Sequence, residues 1–114
     1  MDKFELIVTI TDRGYSDIVM EAARSAGAKG GTLIHGKGTG NDKVESFFGI
    51  KIQPEKEIIF ILTPVKYKKN IMKAINEKTG LREKIQGICF SLPVDETIGL
   101  SGKNTVELLK EKKD

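Results

Sequence analysis

The sequence predicts an α+β domain in which a four-stranded antiparallel sheet carries two helices on one face. Three observations predict it. Across 114 residues, segments follow the order strand, helix, strand, strand, helix, strand, and that order folds into a single split βαβ sheet. Ile58-Ile59-Phe60-Ile61-Leu62 is apolar at every position, as a central strand buried on both faces must be. Gly27 and Gly80 each follow an amphipathic stretch, where a left-handed residue ends a helix.

Taken in order, Phe4-Glu5-Leu6-Ile7-Val8-Thr9-Ile10 alternates as a strand, with Phe4, Leu6, Val8 and Ile10 on one face. Thr11-Asp12-Arg13-Gly14 has turn chemistry. Ser16 or Asp17 is placed to cap a helix with the stripe Ile18, Val19, Ala22, Ala23 and Ala26. The alanines fit close packing on a sheet. The stretch Gly30-Gly31-Thr32-Leu33-Ile34-His35-Gly36-Lys37-Gly38-Thr39-Gly40 reads as a second strand that runs straight into a glycine-rich loop, with Leu33, His35 and Lys37 sharing a face of the strand, and residues 39–46 have the composition of an exposed loop. Phe48, Ile50 and Ile52 then alternate with polar residues and glycine until Pro54 interrupts. Residues 48–53 and 58–62 read either as one long bent strand or as a hairpin arm followed by a core strand. Pro64 stops that strand, and Tyr67, Ile71, Ala74 and Ile75 mark the second helix. Ile88, Phe90, Leu92 and Val94 form the last strand, and Val106, Leu108 and Leu109 fit a short terminal helix. No repeat or linker divides the chain. Residues 1–114 are therefore one domain of the ferredoxin-like βαββαβ type, with 37–53 as a loop region and 99–114 as a C-terminal tail. With both helices on one side, the other sheet face is left bare and apolar, which predicts an oligomer whose sheets pack together.

Composition narrows the function. Hydrophobic residues make up 39% and charged residues 31% of the chain, a globular balance. No apolar run approaches the roughly 18 residues of a membrane span, so no direct membrane insertion is expected. The N-terminal residues lack signal-peptide chemistry and Cys89 is the single cysteine, which together predict a cytoplasmic protein. The formal net charge is +3, concentrated in Lys66-Tyr67-Lys68-Lys69 and in Lys110-Glu111-Lys112-Lys113. Aromatics are only 6% with no Trp, which argues against a nucleic-acid partner.

Several segments together resemble the P-II signal-transduction family, the small trimeric nitrogen regulators. Gly31-Thr32-Leu33-Ile34-His35-Gly36-Lys37-Gly38-Thr39-Gly40 is similar to the family's strand ending in a Lys-Gly-x-Gly turn. Glu45-Ser46-Phe47-Phe48-Gly49 is similar to the Glu-Leu-Tyr-Arg-Gly of its T-loop. Thr79-Gly80 resembles the opening of the B-loop, and Gly87-Ile88-Cys89-Phe90-Ser91-Leu92-Pro93-Val94 resembles Gly-Lys-Ile-Phe-Val-x-Pro-Val, followed by the acidic pair Asp95-Glu96. The ordered set covers residues 3–100. The resemblance implies a homotrimer with effector sites in the clefts between subunits, and a loop that docks on a target enzyme or membrane transporter. The effectors it implies are ATP, ADP or AMP, with Mg²⁺ only where ATP binds, and in some members 2-oxoglutarate.

The departures are specific. Ile88 stands where the family has its phosphate lysine, and the family's Arg-x-Arg falls on Gly99-Leu100-Ser101, which removes the usual cations for a triphosphate. Arg82, Lys84 and Lys103 are the replacements in sequence. The modifiable T-loop tyrosine falls near Ile52 and the partner-binding glutamine near Asn41, which argues against uridylylation.

The effector-binding candidates are therefore Gly36, Lys37, Gly38, Thr39, Gly40, Arg82, Lys84 and Gly87. Backbone N–H groups free of Cβ bulk can cradle a phosphate, although the same glycines also suit a loop hinge or a bulge. Asn41, Phe47 and Phe48 are the candidate partner contacts. His35 is the single histidine and has no ligand set in sequence, so no metal residue is assigned. No nucleophile–base pair or paired carboxylates mark a catalytic centre. The expected function is a non-enzymatic P-II-like regulator of small-effector signalling, including nitrogen regulation. The alternative is a trimeric ferredoxin-like metal- or metabolite-binding protein of the copper-tolerance type.

Overall fold

The computed structural model describes residues 3–39, 54–81 and 87–100. Six elements follow in order: β1 (Phe4–Asp12), α1 (Ser16–Ser25), β2 (Thr32–Lys37), β3 (Glu55–Pro64), α2 (Val65–Thr79) and β4 (Ile88–Val94). The strands form one sheet in the order β2-β3-β1-β4, and all its pairs are antiparallel. This is the predicted ferredoxin-like arrangement. The choice between a bent strand and a hairpin arm for residues 48–53, and the helix at 106–109, lie outside the described residues.

Both helices cover the same face. Its core is Ile7, Val19, Ala22, Ala23, Ile59, Ile61, Ile71 and Ile75, all at most 1% exposed. The face of β1 turned to the helices is Ile7, Thr9 and Thr11, all buried. The alternation picked out by Phe4, Leu6, Val8 and Ile10 belongs to the opposite, bare face. The register places Leu6 between Leu62 and Leu92, Val8 between Phe60 and Phe90, and Ile10 between Ile58 and Ile88. Ile34 extends that last row beyond Ile58.

The helices end as expected and begin otherwise. At the end of α1, Gly27 has φ +116°, and the amides of Gly27 and Ala28 bond to the carbonyls of Arg24 and Ala23, a Schellman closure. Gly80 ends α2 in the left-handed conformation, its amide bonded to Asn76. The start of α1 corrects the expectation of a local cap. Tyr15 occupies the cap position without a side-chain cap bond, and the carboxylate of Glu57 on β3 instead accepts the N–H groups of Gly14 (3.0 Å) and Ser16 (3.2 Å). Ile18 also departs from the predicted stripe: it is 40% exposed, because Val19, Ala22 and Ala23 take the inward side. Tyr67 lies over Gly27, where a Cβ would sit 3.1 Å from its ring, so the ring ties the start of α2 to the end of α1.

Candidate functional site

The glycine-rich strand runs through to Lys37. His35, Gly36 and Lys37 pair with Glu57, Lys56 and Glu55, and the Gly38 N–H bonds to the Pro54 carbonyl at 2.7 Å. The entry and exit of the 39–53 segment are thus held side by side at one corner of the sheet. Gly36 and Gly38 are not among the positive-φ glycines. Space explains them instead. A Cβ on Gly36 would meet Ile58 Cδ1 at 3.2 Å, and one on Gly38 would meet Lys56 Cε at 3.0 Å and Pro54 Cγ at 3.3 Å. The Gly38 N–H already has a partner, so it reaches a phosphate only if that bond is given up. Lys37 and Thr39 are exposed beside it.

Gly87 sits at the same end of the sheet on the opposite edge. A Cβ there would lie 2.7 Å from the Ile10 carbonyl oxygen and 2.9 Å from Leu81 Cδ2, so only glycine allows this approach to β1. In the order β2-β3-β1-β4, the two glycine segments are three strand spacings apart, about 14 Å at ~4.8 Å each. One chain therefore brings Gly36, Lys37, Gly38 and Thr39 together, and places Gly87 at the far edge. Gly40, Asn41, Phe47, Phe48, Arg82, Lys84 and Lys103 lie outside the described residues.

Between those edges runs a polar clasp. Three consecutive residues of β3 hold the turn that follows β1: Glu55 pairs with Arg13 at 2.7 Å, Lys56 with Asp12 at 2.5 Å, and Glu57 caps α1. Burial pushes the Glu57 carboxyl up, but the Gly14 and Ser16 amides, the Ser16 hydroxyl and His35 outweigh it and hold the group below the usual carboxylate range. His35 Nδ1 lies 3.8 Å from its other oxygen. The Thr11 hydroxyl, directly across from Glu57, is buried without a partner among the described residues. Sequence reasoning missed Glu57, and its phase was the signal. It alternates with Ile59 and Ile61 on the covered face, and a carboxylate in that position must find donors.

Cys89 receives a hydrogen bond from the Thr9 hydroxyl at 3.4 Å. Burial pushes its thiol up, with the Thr9 bond a partial offset, so the neutral thiol is the dominant form at neutral pH. Among the described residues, no group of three or more His, Cys, Asp or Glu could hold a metal ion. Among them, no helix is long and apolar enough to cross a membrane.

The bare face completes the picture. Leu6, Val8, Ile10, Ile58, Phe60, Leu62, Ile88, Phe90 and Leu92 form three adjoining rows across β3, β1 and β4. Several are well exposed: Ile88 at 55%, Leu92 at 48% and Leu62 at 38%. A contiguous apolar surface of this kind marks an interaction face.

Comparison with known proteins agrees with this geometry. No curated protein matches the sequence. Among solved structures, Arabidopsis thaliana PII bound to citrate aligns with a TM-score of 0.63 at 24% identity, over 82% of this chain and 78% of that one. A Bacillus cereus protein related to NIF3 aligns with a TM-score of 0.63 at 19% identity, over 83% of this chain. The chain spans only 26% of that protein. At these identities both likenesses show the fold. The sequence-family model for nitrogen regulatory protein P-II matches residues 4–104, nearly the whole of the chain, and by that match the chain belongs to the P-II family of signal-transduction proteins.

Proposed function

We propose that this protein is a non-enzymatic cytoplasmic regulator that assembles as a homotrimer and binds a small effector in the clefts between subunits. The 37–53 segment then engages a target enzyme or transporter, in nitrogen metabolism on the family's description. One observation carries the reading: the two glycine segments lie at the same end of the sheet on opposite edges. They become one site only when the edge of one subunit meets the opposite edge of the next. The bare apolar face supplies a driving force for that assembly.

The effector we propose is an adenine nucleotide, ATP, ADP or AMP, with Mg²⁺ accompanying ATP. Lys37, Arg82 and Lys84 would supply the cationic donors that the family places elsewhere. The Arabidopsis relative is described as bound to citrate, so a polycarboxylate is the second effector class to test. The site's control of the loop has a clear physical requirement: the effector must favour one arrangement of the loop root over another.

Isothermal titration with ATP, ADP, AMP, cyclic dinucleotides, 2-oxoglutarate and citrate tests the reading. Saturable nucleotide binding without turnover, weakened by Arg82→Ala and by Gly38→Val, is the expected result. Absence of binding by every compound would overturn the effector assignment.

A further inference from the structure

Among the elements of the fold, α2 is the most basic. The 15 residues of α2 carry five lysines and one glutamate. The whole chain has 19 basic and 16 acidic residues, so the remainder holds fourteen basic against fifteen acidic and α2 accounts for the entire positive excess. The lysines are not scattered around it. Ile71, Ile75 and Thr79 define its buried side, and at 100° per residue Lys66, Lys69 and Lys73 fall on the opposite pole. All three are exposed. They span seven residues, about 10 Å along the axis at ~1.5 Å per residue.

This stripe runs against local stability. Lys66, Lys68 and Lys69 crowd the start of α2, which has no acidic residue in its first turn. Cations there oppose the helix macrodipole. Lys68 is balanced by Glu5 at 3.1 Å and Lys73 reaches Glu77 at 3.9 Å. Lys66 instead lies 5.2 Å from the ring centroid of Tyr67, the residue that seats α2 on Gly27. A cluster of like charge that costs the helix stability is expected where function requires it.

We propose that the outer face of α2 is a docking surface for an acidic amphipathic helix of a partner protein, with carboxylates at the i, i+3 or i+4, i+7 spacing that matches Lys66, Lys69 and Lys73. The occupant follows from charge complementarity and from shape. The stripe repeats from one helix turn into the next, and α2 carries no aromatic besides Tyr67 to stack a nucleic-acid base. The surface is opposite the bare sheet face, so subunit assembly through the sheet does not cover it. It is a second contact surface, separate from the effector cleft, and does not rest on the effector assignment.

The test is fluorescence anisotropy with a labelled alanine-based helical peptide carrying glutamates at that spacing, and a glutamine version as control. The acidic peptide is expected to bind, and to weaken at least about tenfold between low salt and ~0.3 M NaCl. Lys66→Glu/Lys69→Glu should reduce binding at least about tenfold while leaving Tm equal or higher, because a glutamate at 66 suits the first turn and one at 69 stands four residues before Lys73. Glu77→Lys, which lengthens the stripe, should tighten it. No binding of the acidic peptide, binding unchanged by the charge reversal, or stronger binding to phosphatidylserine vesicles or a DNA duplex would overturn the proposal. Nucleotide titration of the same variants keeps this result distinct from the effector question.

Discussion

The two faces of the sheet invite the wrong reading if hydrophobicity alone is used to find the core. The face under the helices is the more polar one. It carries Thr9, Thr11, Glu57, Thr63, Cys89 and Ser91 among Ile7, Ile59 and Ile61. The uncovered face is apolar through all nine positions of its three rows. On that face the hydroxyls of Thr9 and Thr63 find local partners, in the Cys89 sulfur and the Pro64 carbonyl, and a carboxylate survives there because two backbone amides meet it. The uncovered face has no such allowances, and burial by another molecule is what a uniformly apolar surface calls for. Apolarity here reports the need for burial and leaves open whether the same chain provides it.

Substitutions on the two faces should separate these roles. Ile61→Ala, on the covered face and fully buried, is expected to cost about 2–5 kcal/mol, read as a fall in the denaturant midpoint with the slope unchanged. Gly87→Ala should cost about 1–3 kcal/mol, since its Cβ would press on the Ile10 carbonyl of a central strand. Circular dichroism melts would show both, and a neutral Gly87→Ala would break the close-approach explanation.

Glu57→Gln sharpens the polar side of the comparison. The folded carboxyl is held below its ordinary range by the α1 amides. Its contribution is therefore fully present above the unfolded value and is lost as pH falls through the lowered folded value. The wild type should exceed Glu57→Gln by about 1 kcal/mol at neutral pH, with the gap closing on acidification below about pH 4. A gap that widens in acid would contradict the capping role. Breaking the Arg13–Glu55 pair should cost least, under about 1 kcal/mol, because both side chains are largely exposed.

Much of the fold was legible in the chain. Apolar spacing located β1, β4 and both helices, the unbroken apolar run located β3, and Gly27 and Gly80 marked both helix ends. What escaped depends on register. The space that demands Gly36 and Gly38 is set by side chains of β3 and of Pro54 just before it. The capping of α1 by a residue 41 positions away from Ser16 is invisible to local cap rules. The candidate site was half legible. Sequence located both glycine segments, but only the strand order places them on opposite edges.

Sedimentation equilibrium of the wild type beside Phe90→Asp asks whether the bare face is a subunit interface. Phe90 lies in the middle row of that face, across from Val8, and is 36% exposed in the single chain. A trimer mass is expected for the wild type and a folded monomer for Phe90→Asp, with the secondary structure of both preserved. A monomeric wild type at working concentration, or a trimer indifferent to a charge in that row, would contradict it.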